Sequence, residues 1–179
     1  MKKAISILLV IGVALIAAGV VGIVLQEKSG GPTLTYPLYT SVDGQGSISR
    51  TVSKVDVVTL KATPASGWSF DHWEGDVGGS QNPITITMSS SMTVTAFFTI
   101  NRYTLSTSFT PSGSGNVSPG GGTYDAGMQV TLTAIPASGW RFKEWSGDAI
   151  GTSNTVTITM DASKSVAAYF IVADGETTQ

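Results

Sequence analysis

The chain has 179 residues, a formal net charge of −2, 12% charged residues and no cysteine. The absence of cysteine excludes a disulfide framework and a thiolate metal site. Beyond Gly30, eleven acidic residues stand against seven basic ones. A nucleic-acid partner is therefore not expected, because binding to phosphates requires clustered cations.

Residues 4–25 form an apolar run that follows two lysines, and Ser6 is its single polar member. As a helix this run would span about 33 Å, enough to cross a hydrocarbon core of about 30 Å. A secretory signal peptide has a shorter apolar stretch, of roughly 7–15 residues, before its cleavage site. The sequence therefore predicts that residues 1–25 are an uncleaved transmembrane anchor, and a signal segment cleaved after Gly19 is the alternative.

Lys2 and Lys3 set the expected orientation of this anchor, because the cytoplasmic flanks of membrane spans are enriched in positive charge. We therefore expect a single-pass protein of the cell membrane, with residues 26–179 extracellular. Residues 26–34 are a short polar stretch that contains glycine and proline, and we interpret them as a linker.

The rest of the chain is an internal repeat. Val58–Phe98 aligns without a gap with Val130–Phe170, at an offset of 72 residues. A repeat of this kind indicates one supersecondary unit that is used more than once. We therefore divide the chain into a first module over residues 35–100, a second module over residues 101–172 and a C-terminal tail over residues 173–179.

Apolar residues alternate with polar ones inside each copy. Val58, Leu60 and Ala62 alternate with Thr59 and Lys61, and the second copy repeats the arrangement. Such an alternation, rich in threonine and β-branched residues, is typical of half-buried antiparallel strands. Turn signals rich in glycine and proline separate the runs. The sequence therefore predicts small all-β modules with five or six short strands each.

One aromatic phrase occurs twice, first as ASGWSFDHWEGD and again, 72 residues later, as ASGWRFKEWSGD. Trp68 and Phe70 would share one face of a strand, and a bulge near Asp71–His72 would return Trp73 to that face. Three aromatic side chains per copy would supply much of the core of so small a module. The predicted core residues are Trp68, Phe70, Trp73 and Phe98 in the first copy and Trp140, Phe142, Trp145 and Phe170 in the second.

The alternative is that the duplicated phrase forms a metal- or sugar-binding site. Asp71, Glu74 and Asp76 suggest calcium, which prefers oxygen ligands, but the second copy keeps only one of these carboxylates. His72 is the sole histidine, so neither a zinc site nor histidine acid–base chemistry has a supporting partner. We therefore expect no metal, no cofactor and no catalytic residue, and we predict that the chain is not an enzyme.

The stretch GWRFKEWSGD, followed by VTITMDASKSVAAYF, resembles the divergent form of the B-repeat of listerial internalins, a bacterial cell-surface repeat. Both copies share its aromatic spacing, a methionine-containing strand and a closing strand that ends in an aromatic residue and phenylalanine. The resemblance implies β-rich extracellular spacer or adhesion modules, β-grasp-like in the better-known form. The predicted fold class is all-β, with two tandem modules, each a β-sandwich or a β-grasp-like sheet, after an N-terminal transmembrane helix.

The leading functional hypothesis is a membrane-anchored surface stalk or a protein-binding adhesion module, with the membrane contacted through residues 4–25 and other surface proteins as partners. The alternative is a carbohydrate-binding module that recognises glycans through exposed aromatic rings. Phe97 and Tyr169 are the candidate contact residues for this alternative. Each of them precedes a predicted core residue, Phe98 or Phe170, and therefore points to the opposite face of its strand.

Overall fold

The computed structural model of the chain describes residues 31–173. The predicted transmembrane segment at residues 1–25, most of the linker and the tail beyond residue 173 lie outside the described residues. Inside this range the regular secondary structure consists of β-strands, and no helix is long and apolar enough to cross a membrane. The predicted all-β class with two tandem modules is confirmed, and the chain divides into two compact units between Ile100 and Asn101.

Module 1 has six strands in two sheets. The strands are β1 (Leu38–Asp43), β2 (Gly46–Lys54), β3 (Val57–Pro64), β4 (Trp68–Gly75), β5 (Ile84–Thr87) and β6 (Met92–Ile100). One sheet has the order β1-β6-β4 and the other β2-β3-β5. The alternation in β3, the central strand of its sheet, places one face of the strand against the core. Leu60 and Ala62 on that face are buried, while Lys61 and Thr63 are exposed.

Module 2 has seven strands, one more than the prediction allowed. They are β7 (Arg102–Thr110), β8 (Gly115–Ser118), β9 (Gly122–Asp125), β10 (Gln129–Pro136), β11 (Trp140–Gly147), β12 (Thr155–Thr159) and β13 (Lys164–Val172). One sheet has the order β11-β13-β7-β9 and the other β12-β10-β8. In each module two sheets enclose one core, so the modules are β-sandwiches. Residues 31–173 contain no helix that could pack on a sheet as the helix of a β-grasp fold does.

The prediction of antiparallel strands is wrong for one pair in each module. The first strand pairs in parallel with the last, with Leu38 of β1 opposite Met92 of β6 and Leu105 of β7 opposite Lys164 of β13. Parallel neighbours need a long connection, and here the connection is the remainder of the module. The other described pairs are antiparallel, which is the arrangement that the alternation predicted.

The two modules differ in the segment after their second strand. In module 1, β2 continues through Arg50, which lies opposite Leu60, and pairs with nearly all of β3. In module 2, β8 ends at Ser118, and the chain crosses to the other sheet, where β9 pairs with β7. The second copy contains three more residues in this region, which accommodates the crossing.

The predicted bulge in the aromatic phrase is confirmed. The register of β4 against β6 shifts between Phe70 and His72, and β11 shifts against β13 between Phe142 and Glu144. The extra residue in each strand turns the following tryptophan towards the core.

Each module has its own hydrophobic core. In module 1 the buried residues include Leu38, Val58, Leu60, Trp73, Val94 and Phe98, and in module 2 they include Leu105, Val117, Leu132, Trp145, Met160 and Phe170. Leu34, at the end of the predicted linker, packs against the core of module 1. The first module therefore begins before its first strand.

Candidate functional site

Trp73 and Trp145 tie a loop to the core of their modules. Their exposed fractions are 1% and 3%. The indole nitrogen of Trp73 donates to the carbonyl oxygen of Gln81 at 2.9 Å, and that of Trp145 donates to the carbonyl oxygen of Ser153 at 2.8 Å. The main-chain amide of each tryptophan also donates to a carbonyl of the same loop, at 2.8 Å. Both rings belong to the core, and neither is available as a platform for a sugar.

The other aromatic residues of the phrase pack beside these tryptophans. The ring centroid of Phe70 lies 5.1 Å from that of Trp73 and 5.9 Å from that of Phe98. The corresponding distances from Phe142 to Trp145 and to Phe170 are also 5.1 and 5.9 Å. Trp68 and Trp140 are partly buried against the same cores. The duplicated phrase therefore builds the same aromatic cluster in both modules.

Phe97 is half-buried on the outer face of its sheet. Its ring stacks on that of His72, with centroids 4.8 Å apart and planes inclined by 7°. The imidazole of His72 in turn contacts the carboxylate of Asp71, with Nδ1 and Oδ2 separated by 2.9 Å. One face of the Phe97 ring is therefore covered by its cross-strand neighbour.

Tyr169 occupies the equivalent place in module 2 and has a different neighbour. The ammonium nitrogen of Lys143 lies 5.1 Å from the centre of its ring, a distance at which a cation attracts the π-face. Lys143 Nζ also lies 3.5 Å from the carboxylate of Glu144. A ligand that stacks on this face of Tyr169 would have to displace the lysine.

The aspartate that ends each copy of the phrase bonds to the backbone. Asp76 Oδ2 accepts a hydrogen bond from the amide of Thr93 at 2.7 Å, and Asp148 Oδ2 accepts one from the amide of Ser165 at 2.6 Å. These bonds tie the end of β4 to the start of β6 and the end of β11 to the start of β13, their neighbours in the sheets. No group of three or more His, Cys, Asp or Glu residues within residues 31–173 could hold a metal ion.

Asp161, in the turn before β13, forms an ion pair with Lys164, the first residue of that strand. Their charged atoms are 2.7 Å apart. The hydrogen bond from Lys164 lowers the pKa of the Asp161 carboxyl, and the same bond raises the pKa of the lysine. Module 1 has Ser89 and Met92 at the corresponding positions, so this pair is particular to module 2.

A cleft of about 300 Å³ opens in module 2. Its lining consists of Thr107, Ser108, Phe109, Asn116, Val117 and Gly120. These residues offer hydroxyl groups, one amide and one aromatic ring, and none carries a charge. No lining residue could act as the base that activates a serine nucleophile.

Threonine hydroxyl groups pair on the outer faces of the β2-β3-β5 and β12-β10-β8 sheets, which the sequence did not predict. The side-chain oxygens of Thr59 and Thr85 lie 2.9 Å apart, and those of Thr131 and Thr157 lie 2.8 Å apart. The alternate threonines were visible in both copies, but which threonines would pair depends on strand register. Such pairs add a small stabilisation to a sheet.

No curated protein and no solved structure matches this chain. A family described as the divergent InlB B-repeat domain matches it twice, over residues 36–102 and 105–173. The first match covers β1 to β6, and the second begins inside β7 and runs to the end of β13. The chain belongs to the family of divergent InlB B-repeat domains and carries two tandem copies of the repeat.

Proposed function

We propose that the chain is a non-enzymatic protein of the cell surface, held to the membrane by residues 4–25. Its two extracellular modules would act as a stalk or as a protein-binding adhesion module. The observation that carries this proposal is the tandem match to a repeat domain of surface-protein type, over residues 36–102 and 105–173. The apolar run of residues 4–25 supplies the anchor.

The comparison of the two modules supports a structural role. Their aromatic clusters have the same geometry, whereas the residues around the outer ring differ in charge: Asp71 and His72 in one module correspond to Lys143 and Glu144 in the other. A stalk needs the shared core and tolerates such differences. A partner that binds both modules in the same way would need matching surfaces.

The second candidate function is carbohydrate binding through Phe97 and Tyr169. Its support is that both rings lie on an outer face and are only half-buried. Each ring is nevertheless engaged by a neighbour, His72 or Lys143, which reduces the area that a sugar could cover. We therefore rank this function second.

Membrane topology tests the proposal directly. Expressed in its host with a C-terminal tag, the protein should fractionate with membranes at full mass. External protease should then remove the tagged modules, because residues 26–179 would lie outside the cell. A soluble form that starts near Val20 would show that the N-terminal segment is cleaved and would contradict the anchor.

Ligand binding separates the two candidate functions. As an adhesion module, the full chain in detergent micelles should capture a protein from host surface extracts, and as a stalk it should capture none. In both cases it should leave a glycan array unlabelled. If the array is labelled, the variants Phe97→Ala and Tyr169→Ala should lose the label while Thr99→Ala, on the same outer face, keeps it. That outcome would favour the carbohydrate-binding function.

A further inference from the structure

Strand β1 is the edge of a sheet, and its outer side lacks a strand partner within residues 31–173. An unpaired edge can accept a strand from another chain, and proteins commonly prevent this with charges, bulges or very short edge strands. Strands β2, β4 and β11 each contain a register shift and charged residues. The remaining edge strands, β5, β8, β9 and β12, have four or five residues.

Strand β1 has none of these protections over most of its length. It has six residues, LYTSVD, with a regular register against β6 and with Asp43 at its end as the only charge. Tyr39, its second residue, is 45% exposed. Among the described edge strands, β1 is the longest that lacks both a bulge and a basic residue.

In the other module a strand covers the start of the same edge, up to Leu105, which is the counterpart of Leu38. There β9 pairs antiparallel with β7, from Arg102 opposite Asp125 to Leu105 opposite Gly122. The connection before β9 passes so close to β7 that a Cβ atom at Gly121 would lie 2.7 Å from the carbonyl oxygen of Leu105. In module 1 the equivalent segment stays in β2, so no strand of its own reaches β1.

We propose that β1 pairs antiparallel with β1 of a second copy of this chain and so joins two chains edge to edge. The backbone geometry fixes the register. The carbonyl oxygen of Pro37 accepts a hydrogen bond from the amide of Met92, so Tyr39 and Ser41 also direct their backbone groups towards β6. The intervening residue, Thr40, directs its amide and carbonyl outwards.

A two-fold axis at Thr40 satisfies these outward groups. Thr40 of one copy would exchange two backbone hydrogen bonds with Thr40 of the other, and Tyr39 would lie opposite Ser41. Asp43 would lie opposite Pro37 of the second copy, so no two carboxylates face each other. The edge is therefore complementary to itself in sequence, charge and backbone direction.

Cysteine cross-linking of the full chain in detergent micelles tests this register, because the chain has no cysteine of its own. Tyr39 and Ser41 of different copies would form a non-hydrogen-bonded pair with Cα atoms about 4.5 Å apart, which suits a disulfide. A mixture of Tyr39→Cys chains and Ser41→Cys chains should give, on oxidation, several times more covalent dimer than either variant alone. Equal yields from the mixture and from the single variants would overturn the proposed register.

Module 2 provides the matched control. Ser106 and Ser108 correspond to Tyr39 and Ser41, since they lie opposite Ser165 and Ala167 in β13. If two chains met only through their N-terminal apolar runs, each module would come close to its counterpart in the other chain. Ser106→Cys would then cross-link with Ser108→Cys as well as Tyr39→Cys does with Ser41→Cys. The proposal requires the β1 pair to cross-link much more than this control pair.

A charge on the edge provides a second test. Tyr39→Lys changes an exposed side chain and adds the kind of residue that protects natural edge strands. The variant should keep its melting temperature and show at least a several-fold lower dimer fraction by light scattering. A variant that remains folded and dimerises like the parent chain would refute the β1 interface.

Discussion

Gly147 shows how one residue fixes the end of the aromatic phrase. Its φ of 88° is one that glycine adopts readily, and an added Cβ atom would overlap the carbonyl oxygen of Ser165 in the neighbouring strand. Gly75 has the same role in module 1, against Thr93. The pattern Trp–x–Gly–Asp therefore combines a close backbone approach with the aspartate that bonds to the neighbouring strand of the sheet.

We predict that Gly147→Ala lowers the free energy of unfolding of module 2 by more than the cost of placing alanine in a left-handed backbone conformation. Gly127 supplies the control, because it has a φ of 81° but no atom within 4 Å of an added Cβ. Gly127→Ala should cost about 1–2 kcal/mol, the usual cost of left-handed backbone in an L-residue. Gly147→Ala should cost clearly more in denaturant unfolding, since the strands must also move apart. Equal costs would show that the close approach to Ser165 is unimportant.

The Asp161–Lys164 pair leads to a prediction about pH. Because the lysine lowers the pKa of the Asp161 carboxyl, the stabilisation from the pair is present above the pKa of an unfolded aspartate. It should disappear as the pH falls through the lowered value of the folded state. NMR titration should find that Asp161 titrates below the ordinary aspartate range, and Lys164→Met, which installs the module 1 residue, should return it to that range. An Asp161 titration that Lys164→Met leaves unchanged would contradict the assigned cause.

At the scale of the element, the local pattern predicted the strands but not all of their partners. The alternation around Leu60 and the three-residue step from Phe70 to Trp73 were sufficient to place strands and a bulge. The parallel pairing of the first and last strands was missed, since the same alternation suits either direction. Strand β9 was missed because its four residues, GTYD, follow a glycine-rich turn and have no apolar run.

The same limit applies to the candidate site. Composition and spacing were sufficient to relate the tryptophans to a core, because both copies keep them while the intervening residues change. The acceptors of the indole groups, at Gln81 and Ser153, are main-chain carbonyls. Any residue has such a carbonyl, so no side-chain pattern could have identified them.

The bulge in β11 gives a prediction based on register. Lys143 is the residue without an opposite partner, between Phe142 opposite Phe170 and Glu144 opposite Tyr169. Deletion of Lys143 alone should convert the bulge into regular pairing, keep Trp145 on the core face and leave module 2 folded, with some loss of stability. Deletion of both Lys143 and Glu144 should turn Trp145 to the outer face and unfold the module, because a one-residue slip reverses every side chain.

Circular dichroism in the near ultraviolet measures both outcomes, since it follows the fixed environment of the tryptophans. If the double deletion keeps the native signal of module 2, the register argument is wrong. If the single deletion unfolds the module as completely as the double one, the bulge is needed for folding and is more than a register device.

At the scale of the whole molecule, each repeat forms a compact unit with its own core. The buried residues of module 1 and those of module 2 form two separate clusters. Each module contains about 70 residues and no disulfide or metal cluster in its described part, so its stability depends on the apolar area of this core. The buried tryptophan is the largest side chain in each core, and aromatic side chains of this size bury a large apolar area.

Trp145→Ala should therefore destabilise module 2 by roughly 3–5 kcal/mol, a typical cost of removing a large buried aromatic side chain. The indole also gives up its hydrogen bond to the carbonyl of Ser153, which frees the loop. A loss of this size is a large fraction of the stability of a small domain. Module 2 should unfold or become sensitive to protease, while module 1 keeps the unfolding transition that its own Trp73 supports.

Trp73→Ala is the matched control and should have the converse effect, with loss of module 1 and retention of module 2. Limited proteolysis followed by mass spectrometry identifies which half is cut, and acrylamide quenching reports whether the remaining tryptophans are shielded. If Trp145 were a surface platform, its replacement by alanine would leave the melting curve unchanged. A Trp145→Ala chain that resists protease over residues 102–172 and melts like the parent would show that the repeated phrase serves binding and not the core.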